Sequence, residues 1–567
     1  VPSRREFLER TGLAVTGLSL TGLDRPTLAS RGPARAAQDA SSRTYLDLHR
    51  QPDSVIAQLG PSIEKPLHLL ANGRWGAQDV ALTISPSQDA VRIELEAPRS
   101  TVRRLRVRWR GRLDDVRMLL GDAWERGYGD LEWRGFVPDR VMPWYFLTSD
   151  GLFTNAYGVR TGTGAFCYWL ADPQGITLWT DVRSGGAGVE LRDRRLPVCE
   201  IVTREGATGE TAFAALRAFC RRLCRDPRLP NAPVYGSNDW YWAYGQNSAE
   251  TVLADAQHIV DLSPDGGNRP FVVIDDGWQP ERGRDKTGIG VWNRGNEKFP
   301  DMPGLAAAIR KRGARPGIWI RPLVAATDAP ATERLARDRA ILDPTVPGVR
   351  QKIADDITRL RGWGFDLIKH DYSTFDIFGR WGSTMNDTLT RDGWTFAAGP
   401  TRTTAEVIAD LYQTIRNAAG PALVIGCNTV SHLSAGIFDI CRVGDDTSGR
   451  EWARTRKMGV NTLAFRGAQH GAFYAVDPDC VGVTNAIPWL QNRQWLDLLA
   501  RSGTMLFVSL APDALTDDRR RDLRAALALA ANPQPLGEPV DWQQSSWPRR
   551  WNLMGQAVTY DWVGENE

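Results

Sequence analysis

Histidine is scarce in this chain. There are six in 567 residues, scattered without an HExxH-like grouping. That leaves no metal centre to read from spacing, and neither a metal nor a cofactor is expected. Cysteine is odd in number, seven in all, at positions 167, 199, 220, 224, 427, 441 and 480. An odd, dispersed set argues against a disulfide framework. Cys220 and Cys224 lie four apart on an expected helix, but no second ligand pair follows them. An excess of either charge is also missing. Lys and Arg number 70 against 67 Asp and Glu, a net +3, so no field steers the chain to nucleic acid or acidic membranes. Long apolar runs are lacking too. The longest weakly apolar stretch, Thr11 to Leu23, is short and rich in Gly and Thr, a poor bilayer span, and no later segment reads as transmembrane.

What is present begins with an address. Ser3-Arg4-Arg5-Glu6-Phe7-Leu8 matches the twin-arginine export signal, and Ala34-Arg35-Ala36 offers a small-x-small cleavage site. Residues 1–36 are therefore expected to be a removable signal peptide of a periplasmic or secreted bacterial protein. That route carries folded proteins, in keeping with the lack of a disulfide framework.

The remaining chain is too long for one core and is expected to divide. Residues 41–229 are built from short alternating segments such as Val91-Arg-Ile-Glu-Leu-Glu96 and Gly175-Ile-Thr-Leu-Trp179. Period-two patterning between Gly, Pro and Asp turns predicts an antiparallel β-sandwich. From Val234 the rhythm becomes strand then helix. Strands are expected at 238–244, 270–274, 315–320, 365–368, 422–426, 438–442, 462–465 and 505–509, with amphipathic helices between most of them. Eight strands with helical crossovers over residues 234–510 predict an α/β domain, a (β/α)8 barrel. A doubly wound sheet would carry a Gly-rich phosphate loop after its first strand, and Gly245-Gln-Asn-Ser248 stands there instead. Residues 511–567 leave room for one helix and a short β segment.

Polar residues just past the strand ends line the active site of such a barrel. Here they are Asp275-Asp276-Gly-Trp278, Trp319-Ile-Arg321, Lys369-His370-Asp371, Cys427-Asn428 and Arg442-Val-Gly-Asp445-Asp446. Lys369 and Asp371, two apart on a strand, point to one side, so an ammonium can hold a substrate hydroxyl while a carboxylate faces the reacting carbon. Carboxylates for hydroxyls and Trp for ring faces form a glycosidase-like inventory, and 22 Trp against 12 Tyr suits sugar stacking. Taken singly, each acidic residue reads equally well as a helix cap or a surface ion pair.

Three of these motifs, in order, resemble glycoside hydrolase clan D, most closely family 36 and its cousin family 27, the α-galactosidases and α-N-acetylgalactosaminidases. They are Asp275-Asp276-Gly-Trp278, Lys369-x-Asp371 and Arg442-x-Gly-Asp445. The resemblance spans about Val234 to Ser509. It implies Asp371 as the nucleophile and Asp445 as the general acid/base, with Asp446 as rival for the second role. It further implies Asp275, Asp276 and Lys369 as hydroxyl-binding groups and Trp278, Trp319, Cys427 and Arg442 as pocket walls; Arg321, His370 and Asn428 join them as candidate substrate-binding residues. Asp477-Pro-Asp479-Cys480 also resembles a family 27 motif near the site.

The chain departs from family 36 at His370, where Trp is usual, at Arg321-Pro-Leu323 in place of Glu-Pro-Glu, and at Cys427-Asn-Thr-Val430 in place of Cys-Ser-Gly-Gly. Arg321 is read either as a contact for a decorated substrate or as the partner of a neighbouring Asp. The expectation is a retaining α-glycosidase acting on an oligosaccharide or glycoside, with no nucleic-acid or membrane partner and with homo-oligomerisation left open. A transglycosylase of the raffinose-synthase kind and a non-catalytic carbohydrate-binding protein are the alternatives.

Overall fold

The computed structural model describes residues 45–280 and 290–563. The expected signal segment, 1–36, lies outside the described residues.

Alternation in the first half does what period two requires. Val91–Glu96 and Arg104–Arg110 bury every second residue and turn Arg or Glu outward. Thirteen such strands join into one continuous antiparallel sheet rather than two separate ones. The strand Ile63–Ala71 is the link, pairing with Ser54–Gly60 along its first part and with Arg74–Ala77 at its end. The sheet doubles back on itself. Phe146 meets Trp169 with ring centroids 5.7 Å apart, and Trp169 Nε1 donates to the Trp144 carbonyl at 3.1 Å. The layered character expected from the sequence is thus achieved by one curled sheet.

Trp124, Trp133 and Trp144 seam this domain to the rest. Trp144 stacks on His432 at 4.8 Å, Trp124 Nε1 donates to the Asn386 carbonyl at 3.0 Å, and Trp133 meets Trp542 edge-on at 5.5 Å.

The second half is a TIM-type (β/α)8 barrel. Its strands run parallel in sequence order: Tyr235–Asn238, Phe271–Ile274, Arg315–Ile320, Leu367–His370, Leu423–Gly426, Ile440–Arg442, Ala475–Asp477 and Leu506–Leu510, with Val481–Val483 as an extra strand beside the last. Met505 N–H donates to the Val476 carbonyl at 3.3 Å and brings the seventh and eighth strands together. Helices Ala249–Leu262, Met302–Lys311, Pro347–Gly362, Thr404–Ala419 and Trp489–Arg501 stand between the strands, as the sequence pattern predicts. Thr403 and Ser248 start two of them with capping boxes.

Two expected strands differ. Residues 462–465 lie in a helix, Asn461–Arg466, entered through a π-turn at Arg456–Val460. An apolar run of four cannot distinguish a buried strand from a buried helix, and here burial on all sides comes from the sheet domain and the tail. The seventh strand is Ala475–Asp477 instead. The first strand ends at Asn238, and Trp240–Ala243 forms a short helix closed by Tyr244 in the left-handed region at φ 45°. The tail contributes the helix Asp517–Ala530 and a three-stranded sheet, Glu538–Pro539, Arg550–Leu553 and Gln556–Thr559. Among the described residues no helix is long and apolar enough to cross a membrane.

Candidate active site

Strand alternation sorts the fourth barrel strand. Lys369 points into the barrel and His370 away from it, and Asp371 follows at the strand end. Lys369 Nζ lies 2.6 Å from Asp275 Oδ2, which also accepts from Asn238 Nδ2 at 2.9 Å. Burial alone would lower the Lys369 ammonium; the Asp275 charge overrides it and holds the group well above its usual range. Asp276 N–H donates to Asp275 Oδ1 at 2.9 Å, and half-buried Asp276 accepts from Gln279 Nε2 at 2.6 Å. Behind Asp275 sits Asp239, buried and bonded to the Asp275 N–H at 2.8 Å. Burial, and then the Asp275 charge, push its carboxyl up to about 7.

Three N–H donors converge on Asp371. Trp319 Nε1 reaches Oδ2 at 3.0 Å, while the backbone N–H groups of Tyr372 and Asn428 reach Oδ1 at 2.7 and 3.1 Å. Tyr372 makes this possible by turning left-handed, at φ 68°, directly after the strand. For a bulky residue that costs about 1–2 kcal/mol and is the kind of strain found at functional sites.

Asp445 follows the sixth strand. Arg126 Nη2 stands 2.8 Å from its Oδ1 and Arg454 Nη2 2.9 Å from its Oδ2. Asp446 is turned towards Arg442, Oδ1 to Nη2 3.0 Å. Arg126 and its neighbour Glu125 come from the sheet domain. Glu125 is fully buried and accepts from Asn428 Nδ2 at 2.6 Å, from the Gly382 N–H at 3.0 Å and from the Tyr128 hydroxyl. Burial pushes its carboxyl up against the opposing pull of Arg126. Asn428 thus joins Asp371 on one side to Glu125 on the other.

Residues 237–373, which hold the first two motifs, match the Melibiase family model. The bifunctional α-galactosidase/sucrose kinase AgaSK of Mediterraneibacter gnavus is 27% identical over 128 residues, 22% of this chain and 13% of that protein. The α-galactosidase AgaA of Geobacillus stearothermophilus is 30% identical over 86 residues, 15% of this chain and 11% of that protein. The matched stretches therefore span well under two thirds of either relative. Among solved structures, the Thermus thermophilus α-galactosidase TtGalA superposes with a TM-score of 0.59 at 18% identity, covering 89% of this chain and 99% of that one. An AgaA variant superposes at 0.52 and 14% identity, covering 82% of this chain and 69% of that one.

Residues 237–373 are thus similar to the Melibiase family, and the chain shares the fold of the family 36 α-galactosidase structures.

Several residues expected at the site of this family 36-like barrel stand elsewhere. His370 is wholly buried between Tyr412 and Phe438, edge-on to both at 5.7 and 5.6 Å, and neither ring nitrogen has a hydrogen-bond partner among the described residues. Burial lowers it to about 3, so it is a neutral core ring and not a sugar contact. Trp278 is also wholly buried. Its Nε1 donates to the Trp319 carbonyl at 2.9 Å, so it props Trp319 from behind rather than walling a pocket. Arg321 pairs with Asp376 through two bonds, 3.1 and 2.6 Å, and lies over the Tyr372 ring; of its two readings, the structure takes the pairing.

Arg442 is a buried hub bonded to Asp479 at 2.5 Å and to the Tyr241 hydroxyl at 3.2 Å. Cys427 lies 4.0 Å from Arg442 Nη1, its thiol pushed up by burial. Asp479, in the left-handed region at φ 83°, also accepts from the Thr447 N–H at 2.7 Å and so ties the seventh strand to the Asp445 turn.

The sequence reading passed over Asn238, Asp239, Glu125, Arg126 and Arg454. Asp122 to Asp130 has no period-two pattern and sets Glu-Arg beside Trp124, a break in an otherwise regular β domain that marks a loop with another task.

Proposed function

We propose that the protein is a glycoside hydrolase of the retaining type that removes a terminal α-linked sugar by double displacement. The observation that carries this is Asp371, held by three N–H donors on its two oxygens, the pattern of a carboxylate acting as acceptor, beside the Lys369–Asp275 pair. One Asp371 oxygen attacks the anomeric carbon and the bond to the leaving oxygen breaks, with Asp445 giving that oxygen a proton. Water then attacks the anomeric carbon, Asp445 takes its proton, and the bond to Asp371 breaks. As found, both Asp445 oxygens face guanidinium groups, which suits the base of the second step. For the first step the carboxyl carries a proton and releases one of those contacts. Lys369, Asp275 and Asp276 serve the sugar hydroxyls.

TtGalA, crystallised with p-nitrophenyl α-D-galactopyranoside and with stachyose, supports an α-galactoside as the terminal sugar. The test is a panel of aryl α-galactoside, α-N-acetylgalactosaminide, α-glucoside and α-pentosides, with the first-formed anomer read by NMR. Turnover with a retained anomer is expected. An inverted product, or no turnover on the whole panel, overturns the reading. Export by the twin-arginine route is part of the same proposal, and Arg4→Lys with Arg5→Lys is expected to leave the precursor in the cytoplasm.

A further inference from the structure

Arg126 is 2% exposed, an expensive place for a guanidinium, since desolvating an ion costs several kcal/mol. The structure does not bind it as a scaffold would. Its Nε and Nη1 make no hydrogen bond among the described residues and face carboxylates only at 3.9 and 4.0 Å, while Nη2 stands 2.8 Å from Asp445 Oδ1. The rings of Trp381 and Tyr128, at 5.4 and 5.6 Å, confine it.

The backbone around it is fixed independently. Gly127 N–H donates to the Val443 carbonyl and Asp445 N–H to the Gly127 carbonyl, both at 2.8 Å. This one parallel bridge sets the sheet-domain loop on the end of the sixth barrel strand whatever side chain stands at 126.

We propose that Arg126 is the positioning residue for the acid/base carboxylate Asp445, which makes the N-terminal sheet domain a working part of the active site. This rests on the role given to Asp445 above. Arg126 from the sheet domain and Arg454 from the barrel each take one oxygen, so together they fix the plane of the carboxyl group, which a single contact leaves free to rotate. The other charged groups around the pair do not substitute. Glu125 Oε1 lies 3.9 Å from Arg126 Nε, Asp446 Oδ1 lies 4.0 Å from Arg126 Nη1, and Arg442 is spent on Asp446 and Asp479. Proton transfer to a leaving oxygen depends on that plane, and a misplacement of ~1 Å can cost roughly 10²-fold.

The experiment compares wild type with Arg126→Met and Arg126→Lys on two glycosides of the sugar the wild type accepts. One has an alkyl leaving group that needs a proton, the other a dinitrophenyl group that does not. Arg126→Met is expected to lose roughly 10²-fold in kcat/KM on the alkyl glycoside and far less on the aryl one. Arg126→Lys or added guanidinium ion should restore part of the loss. Equal losses on both leaving groups with a lowered Tm, or no loss on either, overturn the proposal. Wild-type enzyme that turns over no glycoside removes the functional reading instead. The positioning claim is then decided by crystal structures of wild type and Arg126→Met. An Asp445 carboxylate turned out of its place in the variant supports the claim, and one left unmoved overturns it.

Discussion

Lys369 and Asp275 form an ion pair across the barrel interior, from the fourth strand to the end of the second, with Nζ 2.6 Å from Oδ2 and both residues buried. Removing one member strands the other. Lys369→Met leaves the Asp275 carboxylate beside Asp239 with no cation at 2.6 Å, and breaking a buried pair this way costs about 3–5 kcal/mol. Adding Asp275→Asn should recover much of that stability but none of the turnover, because both groups are assigned to sugar hydroxyls. Chemical denaturation and kcat/KM on the double-mutant cycle check this. A Lys369→Met variant as stable as wild type would show that the pair is not worth what its burial implies.

The two carboxylates proposed for catalysis separate by leaving group. Asp371→Asn should abolish turnover on every substrate. Asp445→Ala should spare the first step on an activated aryl glycoside while losing about 10²–10⁴-fold on a natural one. Azide, which needs no base, should then speed turnover of that variant and give a glycosyl azide of the substrate's own anomeric configuration. Azide rescue in Asp446→Ala instead would move the role to Asp446, which the structure turns towards Arg442. A ligand complex should bring the Asp371 and Asp445 carboxyls to roughly 5–5.5 Å, the spacing of a retaining pair.

His370 offers a test of a different kind. Its two buried ring nitrogens have no partner among the described residues, and burial depresses it from 6.5 to about 3. The folded state therefore resists its charging. Stability from this site is intact above the ordinary histidine value and falls as pH drops through 6.5 towards 3, by ~2 kcal/mol at pH 5. His370→Phe should lose less stability between pH 7.5 and pH 5 than wild type and keep its activity. The pH difference is the useful readout, because any misfit of the larger ring shifts both pH values alike. Activity lost while the fold is retained would return His370 to the site.

Much of this architecture could be read from the chain because periodicity reports burial. Where one face is buried, as in Val91–Glu96, alternation names the strand; where a helix lies on a barrel, its stripe and caps name the helix. The signal fails where burial is complete. Asn461–Arg466 is buried at every residue, so its apolar residues carry no phase, and it was read as a strand. The site divides in the same way. Asp275, Lys369, Asp371 and Asp445 follow from position at strand ends, which topology fixes. His370 sits between Lys369 and Asp371 but points the other way, since neighbours on a strand face opposite sides, and Trp278 lies in the turn beyond the second strand, folded behind Trp319. Glu125 and Arg126 lie more than 240 residues before Asp371, in another domain, and no local pattern joins them to it.

Asp239 gives the last expectation, opposite in sign to that for His370. Its carboxyl is raised from 3.8 to about 7 by burial and by the Asp275 charge, with the Asn247 hydrogen bond and the Lys369 charge opposing them. Below about pH 4 the folded and unfolded chains both hold this proton and stability is whole. As pH rises from 4 to 7 the unfolded chain releases the proton first, so stability falls, by ~4 kcal/mol in all, and then levels off. Asp239→Asn removes that fall while keeping an oxygen for the Asp275 N–H. The two sites thus oppose each other over an overlapping window. Denaturation of the single variants at pH 5 and pH 7 should pull them apart. Relative to wild type, whose other buried carboxyls and imidazoles both variants keep, Asp239→Asn should gain stability over that rise in pH, by ~2 kcal/mol. His370→Phe should lose stability relative to wild type over the same interval, by ~2 kcal/mol. A change of the same sign in both variants, each taken relative to wild type, would show that at least one of the two groups does not titrate as its burial requires.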